Sequence, residues 1–131
     1  MDYSISEAAQ RFSLKPHTLR YYESEGLLHP QKGISGVRRY SEQDMERLSL
    51  LCCLKETGMA LKDSKQYFDL CDAGDGTAVL RLEMLKKHRA CILAEIDELK
   101  KHLLRLERKI SIYEEISVTC GQEQENTTRN I

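Results

Sequence analysis

A chain of 131 residues, 40% hydrophobic and 31% charged, has room for one or two small domains of a water-exposed, helix-rich kind. Its apolar runs fall short of the roughly 20 residues that span a bilayer, and Met1-Asp2-Tyr3-Ser4 lacks the basic-then-apolar order of a secretion signal, so a cytoplasmic protein without membrane contact is expected. A net charge of −1 excludes a globally basic nucleic-acid binder, and five cysteines without a CxxC pair argue against a disulfide framework.

Local charge tells a different story. Between Ala8 and Tyr22 the charged residues are Arg11, Lys15 and Arg20; between Gly26 and Ser41 they are Lys32, Arg38 and Arg39. All six are basic, whereas the acids concentrate from Glu42 onward.

In chain order, Ser4-Ile5-Ser6-Glu7 has the form of a capping box, which predicts a short helix to about Phe12 with Ala8, Ala9 and Phe12 inward. Ser13-Leu14 makes a tight turn. Pro16 suits the first position of a second helix, because its missing N–H has no intrahelical partner there. That helix runs to about Ser24, and Gly26 provides a left-handed cap. Leu19 and Tyr22 pack inward, leaving Lys15, His17, Thr18, Arg20 and Tyr21 nearer the other side. Two short helices so joined form a helix-turn-helix, with the second as DNA-recognition helix. Gly33-Ile34-Ser35-Gly36 then reads as a turn and Val37-Arg38-Arg39-Tyr40 as a return strand, giving a small basic wing suited to the phosphate backbone.

Ser41 caps a third helix, with Asp44 three residues on. Met45, Leu48, Leu51, Cys52 and Lys55 share one side, with Cys52 central in the apolar stripe; Cys53 lies about 100° further round and is the more exposed thiol. Gly58 ends this helix. A shorter one, about Leu61 to Cys71, carries Lys62 and Lys65. The turn-rich Asp72-Ala73-Gly74-Asp75-Gly76 marks a hinge and domain boundary. From Thr77 a long helix alternates apolar residues by four and three: Ala78, Leu82, Leu85, Ile92, Ile96, Leu99, Leu103, Leu106, Ile110 and Tyr113, broken by Arg89. A 3.5-residue repeat of that length predicts a coiled coil over 77–117 with a second copy of the chain, followed by a mobile polar tail over 118–131.

The succession I-S-E-A-A, T-L-R-Y-Y-E-x-E-G-L-L, R-R-Y-S-E-x-D and L-K-E-T-G-M-A-L resembles the MerR family of bacterial transcription regulators over about residues 3 to 70. The resemblance implies a mainly α fold: a winged helix-turn-helix over 1–71, a hinge over 72–76 and a dimerisation helix pairing antiparallel. It implies a homodimer that binds a pseudo-palindromic promoter element and distorts an overlong spacer so that RNA polymerase engages both promoter elements. No cofactor and no enzymatic activity are implied. Carried onto matching positions, Thr18, Arg20 and Tyr21 contact DNA from the recognition helix, Arg38, Arg39 and Tyr40 from the first wing, and Lys62 or Lys65 from the second.

The trigger stays open. Some such regulators sense metals through thiolates; here Cys71 precedes the long helix and Cys120 follows it, which allows a two-coordinate Cu(I)-like site between copies, although the second Cys of the terminal loop is absent. Drug-binding relatives carry an added C-terminal domain that this chain lacks. Relatives that respond to aldehydes or other thiol-active electrophiles resemble the run Cys53-Leu54-Lys55-Glu56-Thr57-Gly58-Met59, which makes Cys53 the candidate sensor, with Lys55 nearby to favour its thiolate. Cys91 has no assigned role. A coiled-coil adaptor without DNA binding is the rival of a different class, and the basic helix and wing speak against it.

Overall fold

A computed structural model describes residues 2–33 and 36–123, the last three of these by backbone alone. The element order is α1 (Ile5–Arg11), α2 (Pro16–Ser24), β1 (Gln31–Lys32), β2 (Arg38–Arg39), α3 (Glu42–Glu56), α4 (Leu61–Asp72), a 3-10 turn (Asp75–Thr77) and α5 (Ala78–Glu123). The chain divides into two compact units, Met1–His88 and Arg89–Ile131.

In the first unit, helix starts follow local chemistry. Ser4 accepts from the N–H of Glu7 while the Glu7 carboxylate accepts from the N–H of Ser4, and Ser41 and Asp44 make the same reciprocal pair at α3. Between α1 and α2 the chain turns through Ser13 in the left-handed region, φ 54°. Pro16 opens α2, and Gly26 follows it at φ 78°. β1 and β2 pair antiparallel, Gln31 opposite Arg39 and Lys32 opposite Arg38. The wing is fastened to the N-terminal segment by a bridge in which Tyr3 and Tyr40 exchange backbone hydrogen bonds of 2.7 and 2.8 Å.

The core joins Ala8 and Ala9 of α1, Leu19 and Tyr22 of α2, Leu27 and Leu28, Leu48 and Leu51 of α3, and Tyr67 and Phe68 of α4. The buried stripe of α3 is Met45, Leu48, Leu51 and Leu54. The expected stripe placed Cys52 at its centre and Lys55 on it; instead Leu54 takes the core position, Cys52 is half-buried and Lys55 is exposed. A run of threes keeps to one face over only a few turns, and the larger apolar side chain takes the deeper place. Cys53 is exposed, as expected.

The first compact unit extends beyond the expected hinge at 72–76. Met84 and Leu85, in the second turn of α5, pack against the core, so the first unit runs to His88. The segment 72–76 is also pinned rather than loose. Gly74 sits at φ 99°, the Thr77 hydroxyl donates to the carbonyls of Leu70 (2.6 Å) and Gly74 (2.8 Å), and Arg81 Nε donates to the Thr77 oxygen at 3.0 Å.

The second unit is the body of α5. Its heptad positions Ile96, Leu99, Leu103, Leu106, Ile110 and Tyr113 are each more than 40% exposed within the single chain. The helix runs past the expected end at 117 to Glu123; the rest of the expected tail lies outside the described residues. Among the described residues no helix is long and apolar enough to cross a membrane.

Candidate nucleic-acid interface

Helix α2 is divided along its length. Leu19 and Tyr22 are buried, whereas Lys15, His17, Arg20 and Tyr21 are exposed and Thr18 is half-buried. The buried side is fixed from beneath: Lys55 Nζ donates to the Tyr22 hydroxyl at 3.1 Å and sits 5.6 Å from the centre of its ring. The Tyr21 ring, tilted against that of Tyr22, is 48% exposed. One face therefore offers an ammonium, an imidazole, a guanidinium and a phenol, a donor-rich set suited to phosphates and to purine edges.

The wing contributes less than its sequence suggested. Lys32 and Arg39 are exposed and free to face a phosphate backbone. Arg38 and Tyr40, expected to contact DNA, are turned the other way. Arg38 Nε donates to both oxygens of Glu23 on α2, at 2.6 and 2.9 Å, in a partly buried pair. Tyr40 is fully buried, a correction to its expected role. The cause is strand alternation: 38 and 40 share one face of the hairpin arm and 39 takes the other. Ile34 and Ser35 at the tip lie outside the described residues.

Helix α4 supplies the second flank. Lys62 is exposed, and Lys65 Nζ sits 3.4 Å from both carboxylate oxygens of Asp69, one turn on. The same ammonium would stand 3.3 Å from a Cβ placed on Gly26. A cavity of about 210 Å³ opens between Thr18 and Tyr21 of α2, Leu51 of α3 and Leu61 of α4.

Sequence reasoning missed what braces these flanks. Arg47 donates through Nε to the Leu27 carbonyl (2.6 Å) and through both terminal nitrogens to Asp72 (2.6 and 3.1 Å), with its guanidinium 4.7 Å from the Phe68 ring centre. His29 Nε2 lies 3.2 Å from the same carboxylate. The Arg47 hydrogen bonds, and then His29, hold the Asp72 carboxyl below its ordinary range against the opposing effect of burial. Neither this cluster nor the Arg38–Glu23 pair has a sequence signature, since the partners stand 15 or more residues apart with no periodicity to link them.

The candidate sensors are scattered. Cys53 lies on the exposed side of α3, and its carbonyl accepts from the Thr57 hydroxyl at 2.7 Å. The Thr57 hydroxyl oxygen is also 2.7 Å from Nε2 of His88; in the tautomer protonated there, His88 donates to it. Lys55, expected beside the Cys53 thiolate, is committed to Tyr22. Burial, and then Glu56, push the neighbouring Cys52 thiol up. Cys71 is half-buried on α4, in the first unit. Cys120, expected to follow the long helix, lies within it, in the second. Among the described residues no three metal-capable side chains gather.

Comparison with known proteins agrees with this layout. Residues 3–71 match the MerR HTH family regulatory proteins, and residues 45–111 match the MerR DNA-binding family. An uncharacterized HTH-type transcriptional regulator of Haemophilus influenzae is 40% identical over 116 residues, covering 87% of this chain and 85% of that one. The crystal structure of HiNmlR, a MerR family regulator lacking the sensor domain and bound to promoter DNA, superposes with a TM-score of 0.81 at 37% identity, covering 90% and 94% of the two chains. A MerR family regulator from Listeria monocytogenes superposes at 0.84 with 28% identity and 93% of each chain covered. With a family match across more than half of its length and relatives that span nearly all of it, the chain belongs to the MerR family of helix-turn-helix transcriptional regulators.

Proposed function

We propose that the chain binds a pseudo-palindromic promoter element as a homodimer, placing α2 in the major groove while Lys32 and Arg39 of the wing and Lys62 and Lys65 of α4 hold the flanking phosphates. The observation that carries this reading is the division of α2, with Leu19 and Tyr22 locked into the core and Lys15, His17, Arg20 and Tyr21 left outside. The bared heptad face of α5 supports pairing with a second copy. The likeness to HiNmlR, a relative solved on promoter DNA, supports promoter DNA as the ligand. Two copies on one element would bend and untwist an overlong spacer so that RNA polymerase reaches both promoter elements, which makes specificity depend partly on how readily the spacer deforms.

Gel shifts across a salt series on a duplex selected from random DNA test the reading. A dimer gripping several phosphates loses affinity steeply as salt rises, with a slope close to −0.9 per phosphate contact. A shallow slope, or no retained duplex, would sink it.

The trigger in this reading is Cys53. Its thiolate adds to an aldehyde carbonyl carbon: the S–C bond forms, the C=O π bond opens, and the oxygen takes a proton to give a hemithioacetal. An adduct there strains the end of α3, and Thr57 links that turn to His88 at the start of α5. Adduct mass spectrometry with promoter assays of Cys53→Ser checks the idea; an undiminished aldehyde response in the variant removes Cys53 from the mechanism.

A further inference from the structure

The wing meets the last turn of α2 at one carboxylate. Glu23, its side chain 15% exposed, accepts from Arg38 Nε through both oxygens, at 2.6 and 2.9 Å. The Tyr40 phenol reaches the same group. Burial, and then the Glu23 charge, raise it far above its ordinary range, and a side-chain interaction with Glu23 adds to the shift. The phenol thus stays protonated beside the carboxylate. Its hydroxyl is buried there without a well-aligned hydrogen bond, so Arg38 supplies the directional tie.

The other ties of this strand lead away from α2. Tyr40 pairs through its backbone with Tyr3, whose hydroxyl donates to Glu42 of α3 at 2.8 Å and accepts from Arg11 of α1 at 3.2 Å. These bonds fasten the strand to α1 and α3, and none of them touches α2. The Glu23 pair does, and a guanidinium nitrogen shared between two carboxylate oxygens fixes direction as well as distance. Apolar packing could hold the strand with less desolvation cost, but without that orientation. Arg38 and Tyr40 take the inward face, so Arg39 between them points outward. Glu23 stands three residues beyond Arg20 on α2, so one side chain links the exposed face of that helix to the strand that carries Arg39.

We infer that Glu23 is a positioning residue of the DNA grip: by holding Arg38 and Tyr40 against the end of α2, it aims Arg39 at a backbone phosphate while α2 lies in the groove. Arg38 then serves binding without touching DNA, as the strut between Glu23 and the wing. This inference rests on the DNA-binding reading above.

A salt series with the full chain, on a duplex selected by the wild type, tests it. In the wild-type background Arg39→Ala lowers the slope of log affinity against log salt by about 0.9 per copy, the loss of one phosphate contact. In the Glu23→Gln background the wing has lost its aim, so Arg39→Ala changes the slope little, whereas Lys62→Ala on α4 lowers it as in the wild type. On charge alone, deleting a carboxylate would tighten binding; Glu23→Gln weakens it instead. Arg38→Lys keeps the net charge but not the Nε donor and gives the same pattern; it also serves if Glu23→Gln fails to fold. An equal drop in slope from Arg39→Ala in both backgrounds, with helix content retained, overturns the positioning role alone. So does an Arg39→Ala slope equal to that of the wild type. A wild-type chain that retains no duplex overturns the DNA-binding reading and this inference with it.

Discussion

The two units of this chain solve opposite problems. Met1–His88 closes a core on itself: Leu19, Leu27, Leu48 and Leu51 are fully buried, drawn from different segments. The described part of Arg89–Ile131 is the body of α5, which ends at Glu123, and its apolar seam stays open; Leu99, Leu103 and Leu106 are each more than half exposed. The difference teaches where each unit finds its stability. The first gets it from burial within the chain, while an isolated helix has little apart from propensity and needs its seam covered, under the proposed reading by a second copy. The functional groups divide accordingly. Those that would touch DNA stand on the self-sufficient unit, and those that would duplicate it stand on the dependent one.

That contrast can be broken at either end. The largest effect is expected from Leu99→Asp, which places a charge in the seam of each copy, at a cost of about 3–5 kcal/mol to the pair. Sedimentation should show monomers and circular dichroism a loss of helix confined to the α5 share, with the near-ultraviolet signal of the tyrosines in the first unit preserved; a dimer that survives would mean the seam is not the interface. Leu48→Ala should do the converse. It opens a cavity in the closed core and costs about 2–5 kcal/mol in urea unfolding of the first unit. Smaller again, Arg20→Ala should lose about 1–3 kcal/mol of binding and relax preference at one base position without moving the melting temperature. A Ser41→Ala substitution removes the cap of α3 and should cost about 1 kcal/mol.

Acid titration sharpens the same comparison. The folded carboxyl of Asp72 is held below its ordinary value near 4, so its contribution is complete above that value and is lost as pH falls through the lowered folded value. Urea unfolding between pH 5 and 2 should show a slope in the first unit that Asp72→Asn reduces. An unchanged slope would mean that Arg47 stabilises the fold mainly through Leu27 and Phe68.

Much of the first unit could be read in advance because its signals are local. Ser4–Glu7, Pro16, Gly26 and Ser41–Asp44 fall within a turn of the helix ends they set. The face of α2 followed from Leu19 and Tyr22. What escaped was non-local or depended on which side of a short strand faced inward. Val37–Tyr40 is too brief for alternation to be phased from sequence, so three polar-looking residues read as one basic edge. Only pairing with Gln31–Lys32 and the bridge to Tyr3 turn Arg39 outward and Arg38 and Tyr40 inward. The firmness of 72–76 escaped for a related reason: its glycines suggested looseness, but Thr77 and Arg81 close that turn with side-chain hydrogen bonds that no composition reveals.

The bridge between Tyr3 and Tyr40 also has a kinetic side. Most contacts that build α1, α2 and α3 lie within a few residues and form on the submicrosecond scale of helix nucleation. The bridge instead ties positions 37 residues apart into a ring that contains the whole helix-turn-helix. Closing such a ring carries an entropic penalty that local helix contacts do not. Folding of this unit should therefore be slower than its local helices alone would allow, with Tyr3 substitutions that weaken the bridge slowing it further.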